Sequence, residues 1–227
     1  MKSLTANIKH ALKQNLVAGV CLQVFAILLA VAYFNWSAAL PVFNFFADLK
    51  ATYGWRYAMI STALFGGLIP FLVLAFTGNI GKNWRSILVF YVIYWAYKGI
   101  EVDWLYTWQG IWFGNDTQWS TLLKKTFVDQ FIYGTFWAAP SMAIPYLWKE
   151  CGFNFSVFVK KLDRDLFFIQ IPTTLITNWL IWIPAVLVIY SMPPALQIPL
   201  FNLVLCFFVL LLTTISQKKT HTEPNSD

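Results

Sequence analysis

The chain is poor in the residues that most enzymes use. Its two histidines, His10 and His221, lie in the terminal segments. A Ser–His or Cys–His pair inside the apolar body of the chain is therefore excluded. The three cysteines, Cys21, Cys151 and Cys206, are far apart and show no CxxC spacing. Neither a disulfide framework nor a zinc site follows, so no metal site is expected. No HExxH, phosphate loop or dinucleotide fingerprint occurs, so no cofactor is expected. Acidic residues are missing before Asp48, as in an organelle presequence, but the first fifteen residues also lack Arg. A cleaved secretory signal fits no better, because the apolar run 16–34 is longer than a signal core.

Charge itself is scarce. Only 11% of the 227 residues are charged, whereas 59% are hydrophobic and 19% aromatic. A soluble domain of this size cannot hide that much apolar surface. A bilayer removes the difficulty, and a high density of Trp, Tyr and Phe fits belts at the headgroup level. The net charge of +6 sits in short loops and tails between apolar runs. It reads as an orientation signal and a contact with anionic lipid, and no nucleic-acid partner is expected.

The hydropathy pattern predicts an all-α, polytopic membrane protein of about six transmembrane helices with kinks. Residues 1–15 are basic, and Leu4, Ile8 and Leu12 give them a narrow apolar stripe, as in an interfacial helix. Spans are expected near 16–34, 58–77, 86–105, 127–148, 166–190 and 195–216, each near the ~20 residues that cross a bilayer. Residues 16–216 form one membrane domain in this reading, and 217–227 a polar, disordered tail. With the N-terminus inside, eleven of the sixteen Lys and Arg residues fall on the inner side. That places both termini on the same side. A four-span layout with a re-entrant third segment is the alternative.

Several positions are costly at membrane depth. Asp129 and Gln130 open the fourth span, with Lys125 one turn earlier. They read either as a surface ion pair with a favourable helix-dipole position, or as groups facing an aqueous pathway. Gln170, Thr173, Thr174, Thr177 and Asn178 form a polar stripe on the fifth span, which should turn away from lipid as helix–helix glue or as a pore lining. Asp129, Gln130, Gln170, Thr174, Thr177 and Asn178 are the pore-lining candidates. Gly66 and Gly67, one turn after Thr62 and Ala63, suggest close helix packing. Prolines, among them Pro70 and Pro184 beside Trp182, predict kinks. Lys98 and Glu101 share a helical face and can pair. That segment is expected to end near Tyr97, with Trp104, Trp108 and Trp112 in a half-buried interfacial loop. Asp163 and Asp165 lie among Lys160, Lys161 and Arg164, as on a solvated face.

Leu123-Lys124-Lys125 followed by Asp129-Gln130, then Ile176-Thr177-Asn178-Trp179 running into Trp182 and Pro184, with a later Pro193 or Pro194 and a final apolar helix, resembles the peroxisomal membrane protein 22 kDa / Mpv-seventeen family. The similarity covers roughly 124–216. Arg56, Gly66-Gly67 and Pro70 are similar to earlier positions of the family. Ile183 separates a Trp and a Pro that the family has adjacent. Apolar residues in 185–189 replace its usual Gln and Asn, its Trp-Tyr pair after Pro70 is missing, and residues near 79–120 look like an insertion. The resemblance implies a small multi-pass protein of peroxisomal, mitochondrial inner or related membranes, some of whose relatives form weakly selective channels.

The expected function is a channel-like or transport-related protein that passes small solutes by diffusion and is not an enzyme. The expected partners are the lipid bilayer and small solutes, with a homo-oligomer left open. The host membrane is organellar or a bacterial inner membrane. Two alternatives stand beside it: a non-transporting scaffold that recruits partners through 149–165, and a membrane-embedded enzyme using Glu101 and Asp103.

Overall fold

The computed structural model of the chain describes residues 4–78, 80, 81 and 83–222, the last eleven of these by backbone only. Among the described residues the regular structure is entirely helical. The order is α1 (Leu4–Asn35), a short 3₁₀ turn (Ser37–Ala39), α2 (Leu40–Tyr53), α3 (Trp55–Phe76), α4 (Trp84–Phe113), α5 (119–150), α6 (Phe155–Lys161), α7 (Leu166–Tyr190) and α8 (Pro194–Thr222). Among the described residues, four helical stretches are long and apolar enough to cross a membrane: Leu4–Asn35, Trp55–Phe76, Leu166–Tyr190 and Pro194–Leu211. The segments expected at 86–105 and 127–148 lie within α4 and α5. The N-terminal segment and the first span form one unbroken helix, α1. Helix α8 continues to Thr222, past the start of the expected disordered tail, and 223–227 lie outside the described residues, as do 1–3.

Two helices were not expected from the sequence. Helix α2 fills the first connection and α6 the loop 149–165, where Asn154 caps the helix by accepting from the Val157 N–H at 3.2 Å. A further correction concerns α4. It runs on past Tyr97 to Phe113, so Trp104, Trp108 and Trp112 are helical and at least half exposed rather than in a loop. No proline interrupts this stretch, and its charges are paired, so nothing forces the helix to stop before Gly114, whose φ of 88° ends it.

Three helices contain π-helical stretches, and all three stand just ahead of a proline. They are Ala63–Leu68 before Pro70, Val128–Ala138 before Pro140, and Leu166–Gln170 before Pro172. Proline lacks an N–H and its ring collides with the carbonyl four residues back. The wider i→i+5 register lets the chain pass the proline without breaking the helix. Pro145, Pro184 and Pro199 sit inside ordinary α-helix.

The contacts divide the chain into two compact units. Residues 1–23 and 107–194 form the first, and 24–106 and 195–227 the second. In the first, Gly19 of α1 lies against Ile181 of α7, and the Gln23 amide donates to the Ile181 carbonyl. Helices α5 and α7 meet where Phe131 and Trp179 place their rings 4.7 Å apart. In the second, α3 and α4 pack through small residues from both sides. A side chain at Gly66 would meet the Trp95 ring at 2.8 Å, and one at Gly67 the Tyr91 carbonyl oxygen at 2.8 Å. Gly99 of α4 in turn sits on the Ala58 carbonyl and Thr62 of α3. Gly66 and Gly67 thus lie where α3 and α4 approach closely, and Pro70 is buried. Thr62 donates to Asn202 of α8 at 2.8 Å, and the Asn202 amide donates to Ser61 at 2.7 Å. All three are buried, so a closed polar knot ties α3 to α8.

The outer face of α1 is apolar. Val17, Val20, Val24, Ile27, Leu28 and Val31 are each about half exposed or more, while Ala18, Leu22 and Ala26 are fully buried. In water such a stripe is an association hazard. Several such apolar helices are compatible with an integral membrane protein.

Replacement of Gly99 by Val should force α3 and α4 apart. The expected cost is at least about 2 kcal/mol, by analogy with overpacked cores. Thermal unfolding in detergent, compared with Gly81→Val, where a side chain meets open space, checks this.

Candidate functional site

The first unit contains a buried polar centre. It begins with the register of α5, where Thr121-Leu122, Lys125-Thr126 and Asp129-Gln130 recur every fourth residue and are all buried. A helix that turns five polar side chains inward needs partners for them. The Asp129 carboxylate has two. Its Oδ2 accepts from the Tyr190 hydroxyl at 2.6 Å, and its Oδ1 from the Gln130 amide at 2.7 Å. The Tyr190 oxygen accepts in turn from the Gln109 Nε2 at 3.0 Å. Three elements, α4, α5 and the end of α7, therefore converge on one chain of hydrogen bonds. Of the two readings of Asp129, the surface ion pair with Lys125 is corrected: both residues are buried and the carboxylate bonds to Tyr190 and Gln130 instead.

Lys125 is one of the most deeply buried side chains, 1% exposed. Its ammonium lies 5.6 Å from the centre of the Tyr190 ring and donates to Asn115 Oδ1 at 3.1 Å. The ring face supplies electrostatic attraction that a desolvated cation lacks elsewhere. Asn115 reaches this position because Gly110 has no side chain; a Cβ there would lie 2.8 Å from Asn115 Oδ1. Next to it, Asp116 is exposed on the connecting loop. The Gln118 N–H bonds its carboxylate at 2.9 Å and, with the Thr121 hydroxyl and Lys125, holds it below the usual range.

Two buried atoms of this centre accept or donate nothing among the described residues: Gln109 Oε1 and Thr126 Oγ1. Gln109 is 0% exposed, and its amide is already fixed by Tyr190. Buried polar atoms of this kind are uncommon in folded chains.

The sequence-derived candidates do not all meet here. Asp129 and Gln130 are in the centre. The Gln130 carbonyl also accepts from the Trp179 indole at 2.9 Å, which joins the two sequence segments that carry the family resemblance. Thr177 is buried, but its hydroxyl turns back to the Thr173 carbonyl at 2.8 Å. Gln170 and Thr174 are exposed and Asn178 half-buried, and none of the three joins the network. Trp182 is half-buried and Pro184 exposed, in a helix that continues through both. The sequence reading missed Tyr190, Gln109 and Asn115. Gln109 carried a usable signal, as a lone amide between Trp108 and Gly110 in an aromatic run.

The carboxylates of the second unit are differently placed. Glu101 pairs with Lys98, as expected from their spacing, and Asp103 with Lys50 of α2 at 2.9 Å. Each acid faces its own lysine.

Tyr190→Phe should remove the shared donor and acceptor of the network and leave Asp129 Oδ2 and Gln109 Nε2 buried and unbonded. The expected loss is about 1–3 kcal/mol of stability. In a double-mutant cycle with Asp129→Asn it should show a coupling of about 0.5 kcal/mol or more; additive effects on unfolding would contradict the geometry. Compared with family models, with curated proteins and with solved structures, the chain matches none of them.

Proposed function

We propose that this chain is a polytopic helical membrane protein of about six spans that passes small solutes by diffusion through its first unit. The observation that carries this reading is the buried centre of Gln109, Lys125, Asp129, Gln130 and Tyr190, where a carboxylate, an ammonium and two amides lie together inside an apolar helical unit. Such groups are expensive within a membrane and commonly mark a solute path. Bare acceptor and donor atoms at Gln109 and Thr126 support a polar interior over a dry one.

Six spans rest on α4 and α5 in addition to the four apolar helices. Each has about thirty residues, or about 45 Å of helix, enough to cross ~30 Å of hydrocarbon. The charges that lower the hydropathy of α4 are paired, Lys98 with Glu101 and Asp103 with Lys50, which offsets much of their insertion cost. Kinks at the prolines are supported by the π-helical stretches ahead of three of them. Both termini then lie on the more basic, inner side of an organellar or bacterial inner membrane. A divergent relationship to the peroxisomal membrane protein 22 kDa / Mpv-seventeen family is part of this proposal and rests on the residues quoted above, Lys124-Lys125, Asp129-Gln130 and Thr177-Asn178-Trp179.

A second reading, a non-transporting scaffold, has one specific observation in its favour. The Asp129 carboxylate is satisfied by protein donors on both oxygens, as in a purely structural knot. Flux into proteoliposomes separates the two. Asp129→Leu should lower the flux of a small polar solute about tenfold, the effect of about 1.4 kcal/mol on a barrier. Asn178→Leu, outside the network, should change it by less than about twofold, which corresponds to under about 0.5 kcal/mol. Wild-type protein that folds but passes nothing would support the scaffold. For topology, reporters fused at either terminus should be protected on the same side; opposite sides would remove the even span count.

A further inference from the structure

The two buried charges of the first unit have opposite signs and do not neutralise each other by contact. Lys125 hydrogen-bonds to Asn115, and Asp129 to Tyr190 and Gln130. Both flank the same tyrosine: the ammonium is 5.6 Å from its ring centre and the carboxylate 2.6 Å from its hydroxyl. One further charge is close, Asp116, on the exposed loop beside Lys125.

A permeating cation must give up water beside Lys125, and a permeating anion beside Asp129. In a low-dielectric interior either encounter costs far more than in water. A neutral molecule meets no such penalty. What it finds instead is unused hydrogen-bonding capacity. Gln109 Oε1 is buried and accepts nothing, and Thr126 Oγ1 is likewise unused. The single hydrogen bond that Lys125 makes among the described residues leaves donors on its ammonium.

We infer that the site around Tyr190 selects small neutral solutes that carry both a donor and an acceptor, such as urea or a short polyol, and rejects ions of either sign. The acceptor at Gln109 Oε1 takes the solute's N–H or O–H. The Lys125 ammonium donates to its carbonyl or hydroxyl oxygen. Asp129, through Tyr190, holds the Gln109 amide so that its oxygen rather than its nitrogen is presented. This inference rests on the diffusion reading above and names its substrate class.

The test compares glycerol, K⁺ and Cl⁻ permeabilities of wild-type proteoliposomes at neutral pH. Glycerol should exceed either ion by at least about tenfold. Lys125→Met leaves Asp129 and Asp116 as the local charges, so K⁺ permeability should rise about tenfold, equivalent to about 1.4 kcal/mol. Asp129→Asn should raise Cl⁻ permeability by a smaller factor, because Asp116 still opposes Lys125. Wild-type protein that passes K⁺ or Cl⁻ as readily as glycerol overturns the inference and leaves the diffusion reading standing. So does unchanged ion permeability in both variants with glycerol flux intact. Wild-type protein that passes none of the three removes the diffusion reading and this inference with it. If either variant fails to fold, the wild-type ratio decides alone.

Discussion

The structure of the first unit depends on keeping one carboxylate out of water. Asp129 is buried about three turns into a long helix, where an unbonded acid is among the costliest groups a protein can hold. Its two donors come from different places, Gln130 beside it in sequence and Tyr190 at the far end of α7. The tyrosine therefore fixes the end of α7 against α5, and Gln109 fixes α4 through the same hydroxyl. A single acid thus determines where three helices approach one another. Lys125 belongs to the same arrangement because the ring that serves Asp129 at its edge serves the ammonium at its face.

The second unit pairs its buried charges, Lys98 with Glu101 and Asp103 with Lys50, and packs α3 against α4 through small residues. Gly66, Gly67 and Gly99 bring two helix backbones together, and the contact is closed by a knot of Ser61, Thr62 and Asn202 whose groups satisfy one another. The two modes differ in kind. Small residues gain dispersion contacts over a wide face, whereas the buried acid gains specificity from a few directed bonds. The first unit places unused buried atoms, at Gln109 and Thr126, beside a buried carboxylate and a buried ammonium, which is why it carries the functional reading.

Much of this was legible from residue order. Long apolar runs marked the helices, and the cost of Asp129 and Gln130 in an apolar setting marked the centre. Gly66-Gly67 gave the packing face. Tyr190 was not legible, since a tyrosine at the end of an apolar run reads as an interfacial aromatic. The polar stripe of α7 does not turn inward as a whole: Gln170 and Thr174, four residues apart, are both exposed, whereas Thr177 is buried. The remaining polar residues of the stripe then straddle the edge between buried and exposed faces. Helix α2 escaped notice because fourteen residues are too few to span, and it carries Asp48 and Lys50 among its apolar residues. The length of α4 escaped because Lys98, Glu101 and Asp103 read as a border, when in fact lysines at two positions compensate the acids.

The widened turns ahead of Pro70, Pro140 and Pro172 carry a consequence for how such a chain can change over time. In a regular membrane helix, losing one residue rotates everything downstream by about 100° and turns its buried face outward. A π-helical stretch already contains surplus backbone. Excision of one residue from Val128–Ala138 can be absorbed by tightening to ordinary α-helix, with the flanking faces kept in phase. These three stretches are therefore places where a deletion can enter the hydrophobic body of the protein without rewriting its interior.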